Sequence, residues 1–376
     1  MTENLLRISR RETARAGVIE RRLERYHPRF HGAVRALAMR HSRVADLAAS
    51  FPALLFALAV PRPGLDRAPA LARVVDGRSL AEAAAAADLP LWLRKLPPEA
   101  FAAPIAPLPD GELFRRQIGH HLPHLPKLMP GWLQVVADIF AIAHEPAALW
   151  VAREFVREPR KASPARLRLI GLWSWFSLQP ETFGHELMKR PWTPDMSLAT
   201  ALEAAEEWRT MIALHLDLGA EPIADTWLRS GHMAGYDFLP LTSLPAIVEE
   251  AETMRNCLKN YGPHLAHNHS RLWSVRQNGE RVATLRICCR APDPLLTIIE
   301  LEAAGNTKAP REVWWAARQW LHAHDLLQVN IDPRRWGSVP PDRDIWRSLW
   351  RPYWLARRRI PEWLPLAPDH KALRAL

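Results

Sequence analysis

Residues 253–310 read TMRNCLKNYGPHLAHNHSRLWSVRQNGERVATLRICCRAPDPLLTIIELEAAGNTKAP, and here reactive side chains fall on a scaffold that local rules can predict. Just upstream, Ile247, Val248, Ala251, Met254 and Leu258 recur at helical spacing, with Glu249, Glu250 and Glu252 on the far side. The spacing predicts a helix that ends in Cys257 and Tyr261 and is stopped by Gly262 and Pro263. A loop with His264, His267 and His269 follows. Leu272–Val275 and Arg281–Ile287 read as strands joined through Asn278-Gly279, a dipeptide that tolerates the positive φ angles of a two-residue hairpin turn. Ala291–Pro294 is expected to turn, and Leu295–Glu302, with β-branched Thr297, Ile298 and Ile299, to form a third strand. A helix is expected from Pro310 to about His324, with proline in its first turn, and a further short strand at Val329–Ile331. The order α-β-β-β-α predicts an α+β fold, a mostly helical N-terminal region followed by a small antiparallel sheet packed by helices.

Working outward, residues 131–235 read as a helical block with segments at Trp132–Ala143, Pro146–Val156, Ala165–Phe176, Pro180–Lys189 and Leu198–Asp217. Residues 88–131 are punctuated by proline, from Pro90 to Pro130, which excludes long elements and marks a connector or an irregular packed loop. Ser79 followed by Glu82 has capping-box spacing and opens an alanine-rich helix over Arg78–Ala87. Residues 3–48 are expected to be helical, broken by Pro28. The expected organisation is a basic helical region (1–108), a helical domain (109–238), an α+β module (239–332) and a basic tail rich in Trp and Arg (333–376). The 17 tryptophans are spread through the chain and are expected mainly in cores and helix interfaces, since large aromatics dominate burial.

A chain of 376 residues exceeds one ordinary core. Its net charge of +10 sits at its ends: residues 1–45 carry +7 and residues 333–376 carry +6, so the middle is slightly acidic. Clustered cations suit a polyanionic partner, a nucleic acid or an acidic protein; they also suit plain solvated helix faces. The longest apolar run, Phe51–Val60, is about half of what a membrane-spanning helix needs, so no membrane partner is expected. The arginine-rich start predicts no secretory signal. Three cysteines are too few for a disulfide framework, and adjacent Cys288 and Cys289 on a strand point to opposite faces; a reducing cytoplasm is the expected location.

Several side chains can carry chemistry. Cys257 is the sharpest, as a nucleophile with His264, His267 or His269 as base, although a helix C-terminus disfavours a thiolate and free cysteines are commonly buried. The Cys257, His264, His267, His269 spacing and the group His120, His121, His124 match no established zinc pattern, so neither metal nor cofactor is expected. Glu300 and Glu302 share one strand face, as an acid–base pair, as oxygen ligands for a metal, or as partners of Arg271, Arg281 or Arg286 across the sheet. Lys308 closes a Gly-Asn-Thr-Lys turn ahead of a helix and can hold an anion. In the tail, Arg351, Arg357, Arg358 and Arg359 interleave with Trp350, Tyr353 and Trp354. That mixture suits single-stranded nucleic acid, and equally a helix that docks its aromatics and leaves its arginines in water.

Residues 240–325 resemble the PcfJ-like family, which is associated with conjugative plasmids and other mobile elements. The likeness rests on Met254, Cys257 and Tyr261, on Ser270-Arg271 at a strand entry, on Arg281, Ala283, Thr284 and Leu285 in the next strand, and on Gly305 and Trp320. The chain departs from the pattern at Asn256, where many members carry His, and at Glu302 and Lys308, where Gln and Asn are usual. The resemblance implies a small sheet-and-helix module but no reaction. The leading expectation is therefore a cytoplasmic accessory protein of mobile-element type that binds nucleic acid or a nucleoprotein through basic termini, with Arg351, Trp354 and Arg357 to Arg359 as contacts. The alternatives are an enzyme whose site joins Cys257, Tyr261, His269, Arg281 and Glu302, and a protein-binding scaffold.

Overall fold

The computed structural model describes residue 17, residues 19–290 (Arg290 by its backbone), 295–326, 329, 331, 332, 334, 335, 337 and 339–369. The start of the expected 3–48 helix and the expected turn at 291–294 lie outside the described residues. Contacts divide the chain into two units, the first reaching residue 179 and including 190–205, the second comprising 180–189 and the residues from 206 on.

The first unit is helical. Its helices are α1 (His31–Ala38), α2 (Ser42–Ser50), α3 (Pro52–Ala59), α4 (Ala68–Val75), α5 (Leu80–Ala86), α6 (Glu112–Gln117), α7 (Met129–Ile142), α8 (Glu145–Arg157) and α9 (Pro164–Ser177). The α5 capping box forms, Ser79 accepting from the Glu82 amide while Glu82 accepts from the Ser79 amide. Helix α3 is buried nearly all round, and its Phe56 packs against Tyr26, Phe30 and Phe101. Trp92 packs on Phe114 and Trp132 and donates to the Pro109 carbonyl at 2.9 Å. The proline-rich stretch is therefore packed into the core and holds only short elements, α6 among them, and residue 108 lies inside this unit.

The second unit contains α10 (Phe183–Glu186), the later part of α11 (Leu198–Leu218), α12 (Leu244–Met254), α13 (Gly262–Ala266), α14 (Arg311–His322) and α15 (Arg343–Arg357) around one antiparallel sheet. The helix expected over Pro180–Lys189 shrinks to α10, which Thr182 caps by accepting from the His185 amide and whose Gly184 carbonyl accepts from Trp208 Nε1 at 2.7 Å. The sheet has six strands in sequential order: β1 (Gly231–Met233), β2 (Tyr236–Pro240), β3 (Ser270–Gln277), β4 (Glu280–Arg290), β5 (Leu295–Ala303) and β6 (Thr307–Lys308). Asn278 and Gly279 have φ of 53° and 86° and join β3 to β4 as predicted. Val329 and Ile331 lie outside any strand.

Alternation along the strands gives the sheet two different faces. One carries Trp273, Val275, Ala283, Leu285, Ile287 and Leu301 and is packed with Val313, Ala316, Ala317 and Trp320 of α14. The other carries Leu272, which packs with Ile247 and Ala251 of α12, Leu258 and Leu265. A register shift inserts Ile299 between the pairs Arg286–Glu300 and Ile287–Ile298, so Leu296, Ile298 and Leu301 all serve the α14 core while Glu300 faces Arg286 on the other side.

The expected long helix over Cys257 and Tyr261 is corrected. Helix α12 ends at Met254, where Arg255 adopts φ 49°, and the Asn256 side chain accepts from the Leu258 amide to start a new turn. Cys257 precedes the 3-10 turn Leu258–Tyr261, and Gly262 and Pro263 begin α13 rather than stopping a helix. Gly262 leaves room for the Asp217 side chain, since a Cβ there would lie 2.6 Å from Asp217 Oδ2 and force it to shift.

Burial against this segment pushes the Asp217 carboxyl up to about 6, opposed by the His267 charge. A carboxyl that holds its proton more tightly when folded lowers stability above that pH and contributes nothing below about pH 4, where folded and unfolded forms are both protonated. At ~1.4 kcal/mol per pH unit the cost approaches ~3 kcal/mol for a fully buried group; partial solvent access reduces this to about 1 kcal/mol. Asp217→Asn is therefore expected to raise the unfolding free energy by about 1 kcal/mol at pH 8 and to leave it unchanged below pH 4. Urea titrations at the two pH values check the sign.

Candidate functional site

On the sheet face away from α14, Asn256, Cys257, Leu258, Tyr261, Thr284, Arg286, Glu300, Glu302 and Asn306 surround a notch. Strand period places Thr284 and Arg286 side by side on β4, and the Ile299 bulge brings Glu300 and Glu302 opposite them. Arg286 Nη1 donates to Glu300 Oε1 at 3.0 Å, and its guanidinium lies 4.3 Å from the centre of the Tyr261 ring. Tyr261 donates its hydroxyl to Glu300 Oε2 at 2.6 Å, so each oxygen of Glu300 holds a donor. Burial, the bond to Glu300 and the nearby Cys257 all push the Tyr261 hydroxyl well above the usual phenol range, which keeps it a neutral donor. The exposed Cys257 thiol stands 3.8 Å from that hydroxyl.

Behind the notch lies a second layer. Asn256 Nδ2 donates to Thr284 Oγ1, and Thr284 donates to Glu250 Oε1 at 3.0 Å. Arg281 completes the shell, Nε to Glu250 Oε2 and Nη2 to Glu249 Oε1, both at 2.8 Å. Glu250 is wholly buried.

Of the residues grouped by sequence, Cys257, Tyr261 and Glu302 meet in the notch, and Arg281 stands one layer behind it. His269 is elsewhere, with Nε2 against the Arg334 carbonyl at 2.7 Å, in a clamp where His267 Nε2 accepts from the Gly337 amide. The imidazole beside the notch is His264, whose ring lies 6.0 Å from that of Tyr261 and whose burial lowers its pKa. Arg286 and Glu250 emerge as the organising charges. Period-two alternation puts Arg286 beside Thr284, but a glutamate on the polar side of a helix gave no sign of total burial. The notch leaves about 10 Å³ free, room for about one water. Lys308 pairs with Glu302 in the β5–β6 register and lines a different surface, beside α14. Among the described residues no three His, Cys, Asp or Glu side chains are grouped to hold a metal ion, and no helix is long and apolar enough to cross a membrane.

The candidate polyanion contacts lie on α15. Asp342 caps it by accepting from the amides of Asp344 and Ile345. Leu349, Trp350 and Tyr353 form its buried side. Arg343, Arg347, Arg351 and Trp354 are exposed and, at 100° per residue, share an arc of about 80° that adjoins the buried side. Arg358 ends the helix with φ 57° and sets its guanidinium 5.9 Å from the Trp354 ring centre; Arg359 is exposed beside it, while Arg357 is half-buried. One acid enters this stripe, Asp344, 3.6 Å from Arg347. No protein-family model, curated protein or solved structure matches the chain.

Proposed function

We propose that the chain is a nucleic-acid-binding accessory protein, cytoplasmic and of the mobile-element type that its PcfJ-like resemblance suggests, which uses α15 as its contact. The observation that carries the reading is the division of labour on that helix: Trp350 and Tyr353 are used up in packing, whereas Arg343, Arg347, Arg351, Trp354, Arg358 and Arg359 stand in solvent together. Arginines release counterions when they meet phosphates, and an exposed indole offers a base a surface to stack on. Less supports an enzyme built on Cys257, Tyr261 and Glu302. The notch has little room for a substrate, Tyr261 is held as a hydrogen-bond donor, and Glu300 already accepts on both oxygens.

The test is binding of a fluorescein-labelled oligonucleotide across a salt series by wild type and by Arg351→Gln/Arg358→Gln/Arg359→Gln. Each lost phosphate contact with a single strand reduces the slope of log Kobs against log salt by about 0.7, so the triple variant should lose about 2 from the slope. Its affinity at low salt should fall at least roughly tenfold. An unchanged slope in a variant that melts with the wild type would falsify the reading.

A further inference from the structure

A second surface of the same unit has no part in the notch or in α15. Lys308, Ala309, Arg311, Trp314, Trp315 and Arg318 line an open groove of about 390 Å³. Arg311, Trp314, Trp315 and Arg318 fall at the i, i+3, i+4, i+7 positions of α14, a single helix face. Val313, Ala316, Ala317, Trp320 and Leu321 occupy the opposite face and pack against the sheet. The Trp315 indole is thus surplus to that packing, being 58% exposed, while the half-buried Trp314 rests one side on the core and carries the Arg318 guanidinium 5.8 Å from its ring centre. Leaving a large aromatic in water at the centre of a solvent-facing stripe gains the fold nothing.

The geometry points to this groove as a stacking site for single-stranded nucleic acid, taking one or two unpaired bases on Trp314 and Trp315 and their phosphates on Lys308, Arg311 and Arg318. The lining fixes the chemistry of the occupant. It holds three cations, two flat π surfaces and no carboxylate, and Glu312 on the same helix stays outside it. A polyanion that also exposes aromatic faces matches both features. A duplex presents phosphates but hides its base faces in the stack, and an acidic peptide has nothing to set against two indoles. An anionic bilayer would be met by a broad apolar helix face, whereas here the tryptophans line a concavity flanked by charge. The volume lies at the low end of the range for small-ligand sites, roughly 300–1,000 Å³, which suits one or two nucleotides.

This inference rests on the nucleic-acid reading and narrows it to single strands, yet it has its own readout. Full-length protein is titrated with a labelled twelve-nucleotide oligo-dT and with the matching duplex, using wild type, Trp315→Ala, Trp315→Phe and the triple glutamine variant of α15. Trp315→Ala should weaken the single strand roughly tenfold, leave the duplex within about twofold, and be rescued in part by Trp315→Phe, since alanine removes the stacking surface and phenylalanine restores a smaller one. If the α15 variant loses binding while Trp315→Ala keeps it, the groove is wrong and the reading of α15 survives. Loss on Trp315→Ala alone supports the groove and removes α15. Equal loss for single strand and duplex overturns the stacking role. Binding of phosphatidylserine vesicles that depends on Trp315, in the absence of oligonucleotide binding, overturns the proposal in favour of a membrane surface.

Discussion

Arg281→Ala is expected to lower the unfolding free energy by about 3–5 kcal/mol, because it strands a buried charge. Glu250 is 0% exposed, and its two oxygens are served by Arg281 and by the Thr284 hydroxyl. Removing the guanidinium leaves a carboxylate in a low-dielectric site with one neutral donor. The neighbouring Glu249 provides the control. It meets the same guanidinium at 2.8 Å but is 67% exposed, and exposed pairs contribute roughly 0–1 kcal/mol, so Glu249→Ala should change stability by less than about 1 kcal/mol. The double variant Arg281→Met/Glu250→Leu should recover much of the loss, since apolar replacements of a buried pair are often neutral. Urea denaturation of the four proteins separates these cases. A loss below about 1 kcal/mol for Arg281→Ala would mean that solvent reaches Glu250 and that the layer behind Cys257 is held by something else. The same substitution bears on the notch, because Thr284 links Glu250 to Asn256, and Asn256 sets the turn that presents Cys257.

How much of this was legible in the sequence depends on the range of the interactions that decide each element. The β3–β4 hairpin was readable because Asn278 and Gly279 accept positive φ by their own nature, and the antiparallel sheet with flanking helices followed from it. The β1–β2 hairpin was not. Its turn is Ala234-Gly235, at φ 51° and 84°, and its strands lack a β-branched run; they form because β2 pairs with β3 from Asp237–Arg276 to Pro240–Trp273. A helical reading extended across Asn256 failed for a local reason, since its side chain competes for the Leu258 amide and lets Arg255 enter the left-handed region. Period-two spacing put Glu300 and Glu302 on one face, but choosing Arg286 over Arg271 and Arg281 as the partner needed the register. Arg271 packs its guanidinium on Trp227 and Arg281 is taken by α12, which leaves Arg286 opposite Glu300. His269 looked equivalent to His264 in a three-histidine loop; the contact with Arg334, 65 residues away, separates them.

Tertiary packing that sequence cannot register also sets the other large effect, at Trp320. Its ring stacks on Phe238 of β2 at 4.6 Å and 5°, meets Trp273 of β3 edge-on at 4.7 Å, and approaches Gly231 of β1 so closely that a Cβ there would lie 3.1 Å from Nε1. One helix side chain therefore fastens three strands, including the hairpin that local signals failed to predict. Trp320→Ala should cost about 3–5 kcal/mol, combining lost apolar transfer with a cavity between rings already stacked on partners. Trp320→Phe isolates the cause. Among the described residues Trp320 Nε1 has no hydrogen-bond partner, so exchanging indole for phenyl removes no buried bond and keeps the stack on Phe238; the cost should stay below about 1.5 kcal/mol. If phenylalanine proves as damaging as alanine in urea denaturation, the indole nitrogen has a role that stacking does not explain. If both are mild, β1 and β2 are held to the sheet by backbone pairing with β3 alone, and amide exchange over residues 236–239 should be as slow in Trp320→Ala as in the wild type.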